Sequence, residues 1–105
     1  MTILIPIDFS ETSLKAAHFA MKHYADAKFK LLHIVNARQA GATMVVDINS
    51  DLQKFYQKRM IKVQAELEQK FPNVKIEGKV EIGLFSETIV EEIENCSADL
   101  LVLGT

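Results

Sequence analysis

The stretch Ile3-Leu4-Ile5-Pro6-Ile7-Asp8-Phe9-Ser10-Glu11-Thr12-Ser13 changes character half-way along. Its first part is a run of branched apolar residues, the composition of a strand buried on both faces. Its second part is Asp, Ser, Glu, Thr and Ser, the residue types that start a helix. A buried strand running into a helix N-terminus is the first half of a βαβ unit. Ligands of open α/β sheets sit beyond the carboxyl ends of strands, where the strand order reverses. Asp8 stands at such an end and is the centre of any expected site.

The rest of the chain repeats the alternation. A first strand over about Thr2–Ile7 is followed by a helix from about Ser10 to Tyr24, with Leu14, Ala17, Met21 and Tyr24 as its apolar stripe. Pro6 lacks a ladder donor, so a bulge or a release of pairing is expected beside it. Phe29–Val35 is the second strand, and Asn36–Asn49 reads as a loop. Ser50 and Gln53 have the spacing of a capping box. They open a helix that runs to about Phe71 with Leu52, Tyr56, Met60, Val63 and Leu67 on one face, and Pro72-Asn73 stops it. Val74–Ile82 alternates apolar and charged residues, the pattern of an edge or half-exposed strand. A third helix follows Gly83 and Ser86, with Phe85, Ile89, Val90 and Ile93 apolar and the glutamates on a solvated face. Asp99–Leu103 is a fourth, fully apolar strand that reads as central.

The order β-α-β-α-β-α-β implies a parallel, doubly wound α/β sheet with right-handed crossovers. The hydrophobic pattern fits strand order 3-2-1-4, which puts Asp8 and Gly104 on the two sides of one crevice. The 105 residues read as one domain, and 49% hydrophobic residues suffice for a core. An apolar fourth strand at a sheet edge recruits another chain. The expectation is therefore a domain incomplete at its C-terminal side, with a further helix and strand or a partner chain covering that edge. A net charge of −2 argues against nucleic acid as a partner. No apolar run reaches the roughly 18 residues of a membrane span. The single cysteine, Cys96, fits a reducing, cytoplasmic setting.

Several residues that could carry chemistry read instead as structure. His33, within an apolar strand, reads as a satisfied core histidine. His18 and His23 do not share a helix face, and no metal-ligand spacing exists. Cys96 reads as a small buried hydrophobe. Ser10, Ser13 and Ser86 read as cap residues rather than nucleophiles. The four glycines form neither a G-x-G-x-x-G nor a Walker loop. Phe85, Tyr24 and Tyr56 read as core stripes rather than stacking platforms. For Asp8 the bland reading is a helix N-cap, and for Gly104 it is a turn glycine.

Taken together, Ile3–Ser13, Leu31-Leu32-His33-Ile34-Val35, Gly83 ahead of the third helix and Asp99-Leu100-Leu101-Val102-Leu103-Gly104-Thr105 resemble the universal stress protein family in order and spacing. The resemblance implies a Rossmann-like or flavodoxin-like fold of five strands, of which the fifth strand and last helix lie past Thr105. It implies a cytoplasmic stress-response protein, commonly a homodimer and sometimes one half of a tandem pair, and many members bind ATP. By resemblance, Asp8 and the backbone of Ile34 hold the adenosine end, and Pro6 and Ile7 line its pocket. Leu103 precedes, and Gly104 begins, a phosphate loop of pattern G-x2-G-x9-G-[ST]; of that loop the chain carries Gly104 and Thr105. The expected function is an adenine-nucleotide binding or sensing module. The rival classes are an interaction domain with an empty crevice and, ranked lower, a slow ATPase, for which no general base, metal cluster or phosphate loop can be named.

Overall fold

The computed structural model describes residues 1–36 and 46–104, the first five of the second stretch as backbone only. The elements in chain order are β1 (Thr2–Pro6), α1 (Glu11–His23), β2 (Lys28–Asn36), α2 (Val46–Lys70), β3 (Lys75–Gly83), α3 (Phe85–Cys96) and β4 (Leu100–Leu101). All pairings are parallel and the sheet order is β3-β2-β1-β4, as the hydrophobic pattern required. The order reverses between β1 and β4, and that is where a crevice opens.

Strand alternation divides the core in two. Ile3, Ile5 and Ile7 of the β1 segment and Phe29, Leu31 and Val35 of β2 face α1 and α2 in the larger cluster. Leu4 and Leu32 face the other way and meet Ile89 of α3 in a small second cluster. This double burial is why both strands read as continuous apolar runs.

Of the expected α1 stripe, Ala17 and Met21 are buried and Leu14 packs on the core, whereas Tyr24 is exposed; Ser13 and Ala20 complete the buried face. Small residues there let the helix lie close on β1. Ser10 is the N-cap, its side chain accepting from the Ser13 N–H. α2 begins at Val46, four residues before the capping-box spacing and inside the expected loop. Gln53 does not cap; its amide donates to the Val80 carbonyl of β3 at 3.4 Å. Residues 37–45 of that loop lie outside the described residues. The expected α2 face holds, with Met60 and Leu67 buried.

Pro6 explains why β4 is shorter than the apolar run predicts. The last described rung between these strands is Val102 N–H to the Leu4 carbonyl at 3.0 Å. The next parallel rung would need an N–H from Pro6, which has none. Regular pairing therefore stops at Leu101. β4 pairs only with β1 among the described residues, and Leu100 to Val102 are half-buried rather than central.

α3 departs most from expectation. Its N-cap is Leu84, with no side-chain cap bond, so Ser86 does not cap it. Phe85 and Val90 are exposed. Glu92, expected on a solvated face, is buried between Lys30 Nζ at 3.1 Å and Lys79 Nζ at 3.0 Å. The charged side of β3 is thus the side α3 covers, and it needs a carboxylate there. The helix ends at Ser97, whose φ of 52° is left-handed, with Ala98 N–H reaching back to the Ile93 carbonyl. Glycine prefers this position. Ser97→Gly is expected to raise unfolding free energy by about 0.5–1 kcal/mol, relief of the left-handed cost exceeding the added unfolded-state entropy. Urea unfolding measures it; a destabilised variant would contradict this account of the helix end.

Candidate functional site

At the switch point a cavity of about 140 Å³ opens between the carboxyl ends of β1, β2 and β4. Pro6, Ile7 and Asp8 form one rim, and Leu103 and Gly104 form the other. Leu32, His33 and Ile34 of β2 make the back wall, and Ser13 of α1 and Phe85 of α3 close the sides. The structure therefore brings six of the seven residues singled out from the sequence to one cavity. The seventh, Thr105, lies outside the described residues.

Asp8 is exposed and is not the N-cap. Its Oδ1 accepts from the Ser10 N–H at 2.9 Å, a local turn that ends β1 and starts α1. Hydrogen bonds from the Ser10 side chain and backbone, then from Ser13, hold its carboxyl below the usual range, so it is ionised at neutral pH. Phe9 makes the turn possible by taking a φ of 66°, which is strained for a bulky residue. Its ring is held against His33 at 4.6 Å and stacked on Tyr56 at 6.0 Å, with the Arg59 guanidinium 4.4 Å above it. That packing fixes the backbone one residue after Asp8.

His33 is a site residue that the sequence pattern places in the core. Its Nδ1 lies 2.7 Å from the Ile7 carbonyl. A carbonyl cannot donate, so Nδ1 carries the proton and Nε2 of the neutral ring is an acceptor. Partial burial first, and the nearby Arg59 charge second, push its pKa below the usual value, against the Ile7 carbonyl and Asp8. The ring also packs on Tyr56 at 4.5 Å, so Tyr56 belongs to a half-buried aromatic cluster behind the crevice.

Gly104 is a close-approach glycine, and what approaches is α1. A Cβ there would lie 2.8 Å from the Ser13 Cα and 2.8 Å from the Thr12 carbonyl oxygen. Backbone leaves no room for it, so the second rim must be a residue without a side chain. Among the described residues no group of three or more His, Cys, Asp or Glu side chains could hold a metal ion. No helix among them is long and apolar enough to cross a membrane.

The sequence model of the Universal stress protein family matches residues 1–105. The chain belongs to the universal stress protein family. A family protein from Burkholderia pseudomallei shares its fold with a TM-score of 0.77 at 20% identity, over 99% of this chain and 80% of that one. A universal stress protein solved in complex with cAMP matches with a TM-score of 0.67 at 21% identity, over 97% of this chain and 74% of that one. A family protein from Arabidopsis thaliana, solved with AMP bound, matches with a TM-score of 0.57 at 14% identity, over 100% and 76%. No curated protein matches the sequence. At these identities the solved structures speak for the universal stress protein fold, and the crevice chemistry rests on the residues described above.

Proposed function

We propose that this universal stress protein domain binds an adenine nucleotide, ATP or a relative of it, in the crevice between β1 and β4. The observation that carries the reading is the meeting of an ionised Asp8 and a side-chain-free Gly104 across one cavity at the switch point. That two structural neighbours hold AMP and cAMP supports it. The cavity is smaller than the roughly 300–1,000 Å³ of a whole ligand site. It suits one end of a nucleotide.

The polarity sets which end. Asp8 repels phosphate and accepts from ribose hydroxyls or an exocyclic amine. The backbone of Ile34 offers polar groups to the base, Pro6, Ile7 and Leu103 offer apolar cover, and phosphates extend past Gly104. Nucleotide occupancy then biases a cytoplasmic homodimer or tandem-partner surface at the sheet edge by its differential affinity for two states. No catalytic role is assigned to any residue, so the reading is a sensor rather than an ATPase.

Asp8→Asn is the direct test, because Asn keeps an acceptor for the Ser10 N–H while removing the charge. Hydrogen bonds to charged groups contribute about 1.5–3 kcal/mol. Calorimetry should show AMP and ATP affinity reduced about tenfold or more, with thermal stability nearly unchanged. Equal affinity in both proteins would remove Asp8 from the site. Absence of heat from the folded wild-type protein would favour the interaction-domain class instead.

A further inference from the structure

We propose that Phe85 is the base-stacking residue of this crevice and gives it preference for purine nucleotides over sugar phosphates; this rests on the adenine-nucleotide reading above. Phe85 opens α3 in the same helical stripe as Ile89, one turn further on. Ile89 is 7% exposed, yet Phe85 is 55% exposed. The difference lies in what is underneath. Ile89 meets Leu4 and Leu32, whereas Phe85 lies over the open crevice, beside Ile34.

Its ring is also left without company. Phe9, Phe19, Phe55 and Phe71 each pack on another ring. Among the described residues no aromatic ring packs on Phe85. Leu103, on the facing rim, is 52% exposed and lines the same cavity. Two large apolar side chains thus line one slot, with the Asp8 carboxylate as an acceptor on its rim. A flat group with donors on its edge satisfies both features. A purine base carrying an amine has that chemistry, and a bare sugar phosphate does not. A pyrimidine offers less surface to stack.

The chain has no tryptophan, so Phe85→Trp places a single reporter at the rim. Base–aromatic stacking contributes about 1–3 kcal/mol by alanine substitution, which corresponds to roughly 5- to 150-fold in affinity. AMP affinity of Phe85→Ala is expected to fall about tenfold and to be recovered in Phe85→Trp and Phe85→Tyr. AMP should change the indole emission of the Phe85→Trp variant, and ribose 5-phosphate should not. Because Phe85 is largely exposed, circular dichroism of all variants should match the wild type. If the wild type binds AMP and Phe85→Ala binds it equally, the stacking role is overturned while the nucleotide reading stands. If the wild type binds neither AMP nor ATP, both are overturned.

Discussion

Replacing Glu92 by alanine is expected to lower the unfolding free energy by about 2–4 kcal/mol at pH 7, a large share of the 5–15 kcal/mol typical of a domain. Glu92 is 2% exposed, and its two oxygens face Lys30 Nζ and Lys79 Nζ. Among the described residues, removing it leaves Lys30 with only Glu77, at 3.3 Å, and Lys79 with only Glu81, at 3.0 Å, both of them more exposed carboxylates. Breaking a buried pair costs about 3–5 kcal/mol. The lower figure applies because the Lys30 and Lys79 side chains keep 15% and 35% exposure and can turn toward water.

The pH dependence follows from the same contacts. Burial alone would raise the Glu92 pKa, but Lys79 and Lys30 outweigh it and hold the carboxyl below its usual range. Such a group stabilises the fold above the unfolded value, about 4.3, and the contribution fades as pH falls through the lower folded value. Lys30, against its own burial, is raised by Glu92 and Glu77, and Lys79 is raised by Glu81 and Glu92. Their contribution holds below the ordinary lysine range and fades as pH rises through the higher folded values. Urea midpoints of wild type and Glu92→Ala should therefore converge below about pH 4 and stand furthest apart near neutrality. A variant within about 0.5 kcal/mol of wild type at pH 7 would mean that the carboxylate is dispensable.

The frame of this fold was readable because it rests on short-range patterns. Ile3–Asp8 is apolar on both faces, β3 alternates, and four strands separated by helices leave few parallel orders. The meeting of Asp8 and Gly104 followed from that order alone. What escaped depends on contacts between distant segments. Glu92 stands among other glutamates, so it reads as solvated. Its sign was Lys30, a lysine between Phe29 and Leu31 in β2, which has to find a carboxylate. Helical spacing correctly grouped Phe85 with Ile89 but could not say how far the sheet extends beneath the stripe. His33 reads as satisfied, and it is, by Ile7; that it also lines the crevice depends on β1 and β4 parting beyond it. The Ser-x-x-Gln spacing marks a helix start only where the chain before it is not helical, and Val46–Asn49 is helical.

Truncating Leu4 to alanine is the companion test, and it asks whether α3 docks as one unit. Leu4 is fully buried and, with Leu32 and Ile89, is the buried part of the cluster under that helix. It also accepts the Val102 N–H, so it sits where β4 joins the sheet. Buried Leu→Ala changes cost about 2–5 kcal/mol, the cavity contributing beyond the lost transfer energy. A value near 3 kcal/mol is expected, since α3 can settle only partly into the space while Glu92 is fixed between two strands. The combination with Glu92→Ala decides the matter. If apolar cluster and ion triad anchor the helix independently, the two losses add. If they hold one docking event, the first substitution already loosens α3, and the second costs less than it does alone by at least about 0.5 kcal/mol. The geometry favours the second outcome, because Ile89 and Glu92 are one turn apart on a helix with no side-chain cap at its start. In that case hydrogen exchange in the double variant should rise across Phe85–Cys96 while β1 and β2 remain protected. Uniform exchange over the whole sheet would show instead that α3 and the sheet unfold together.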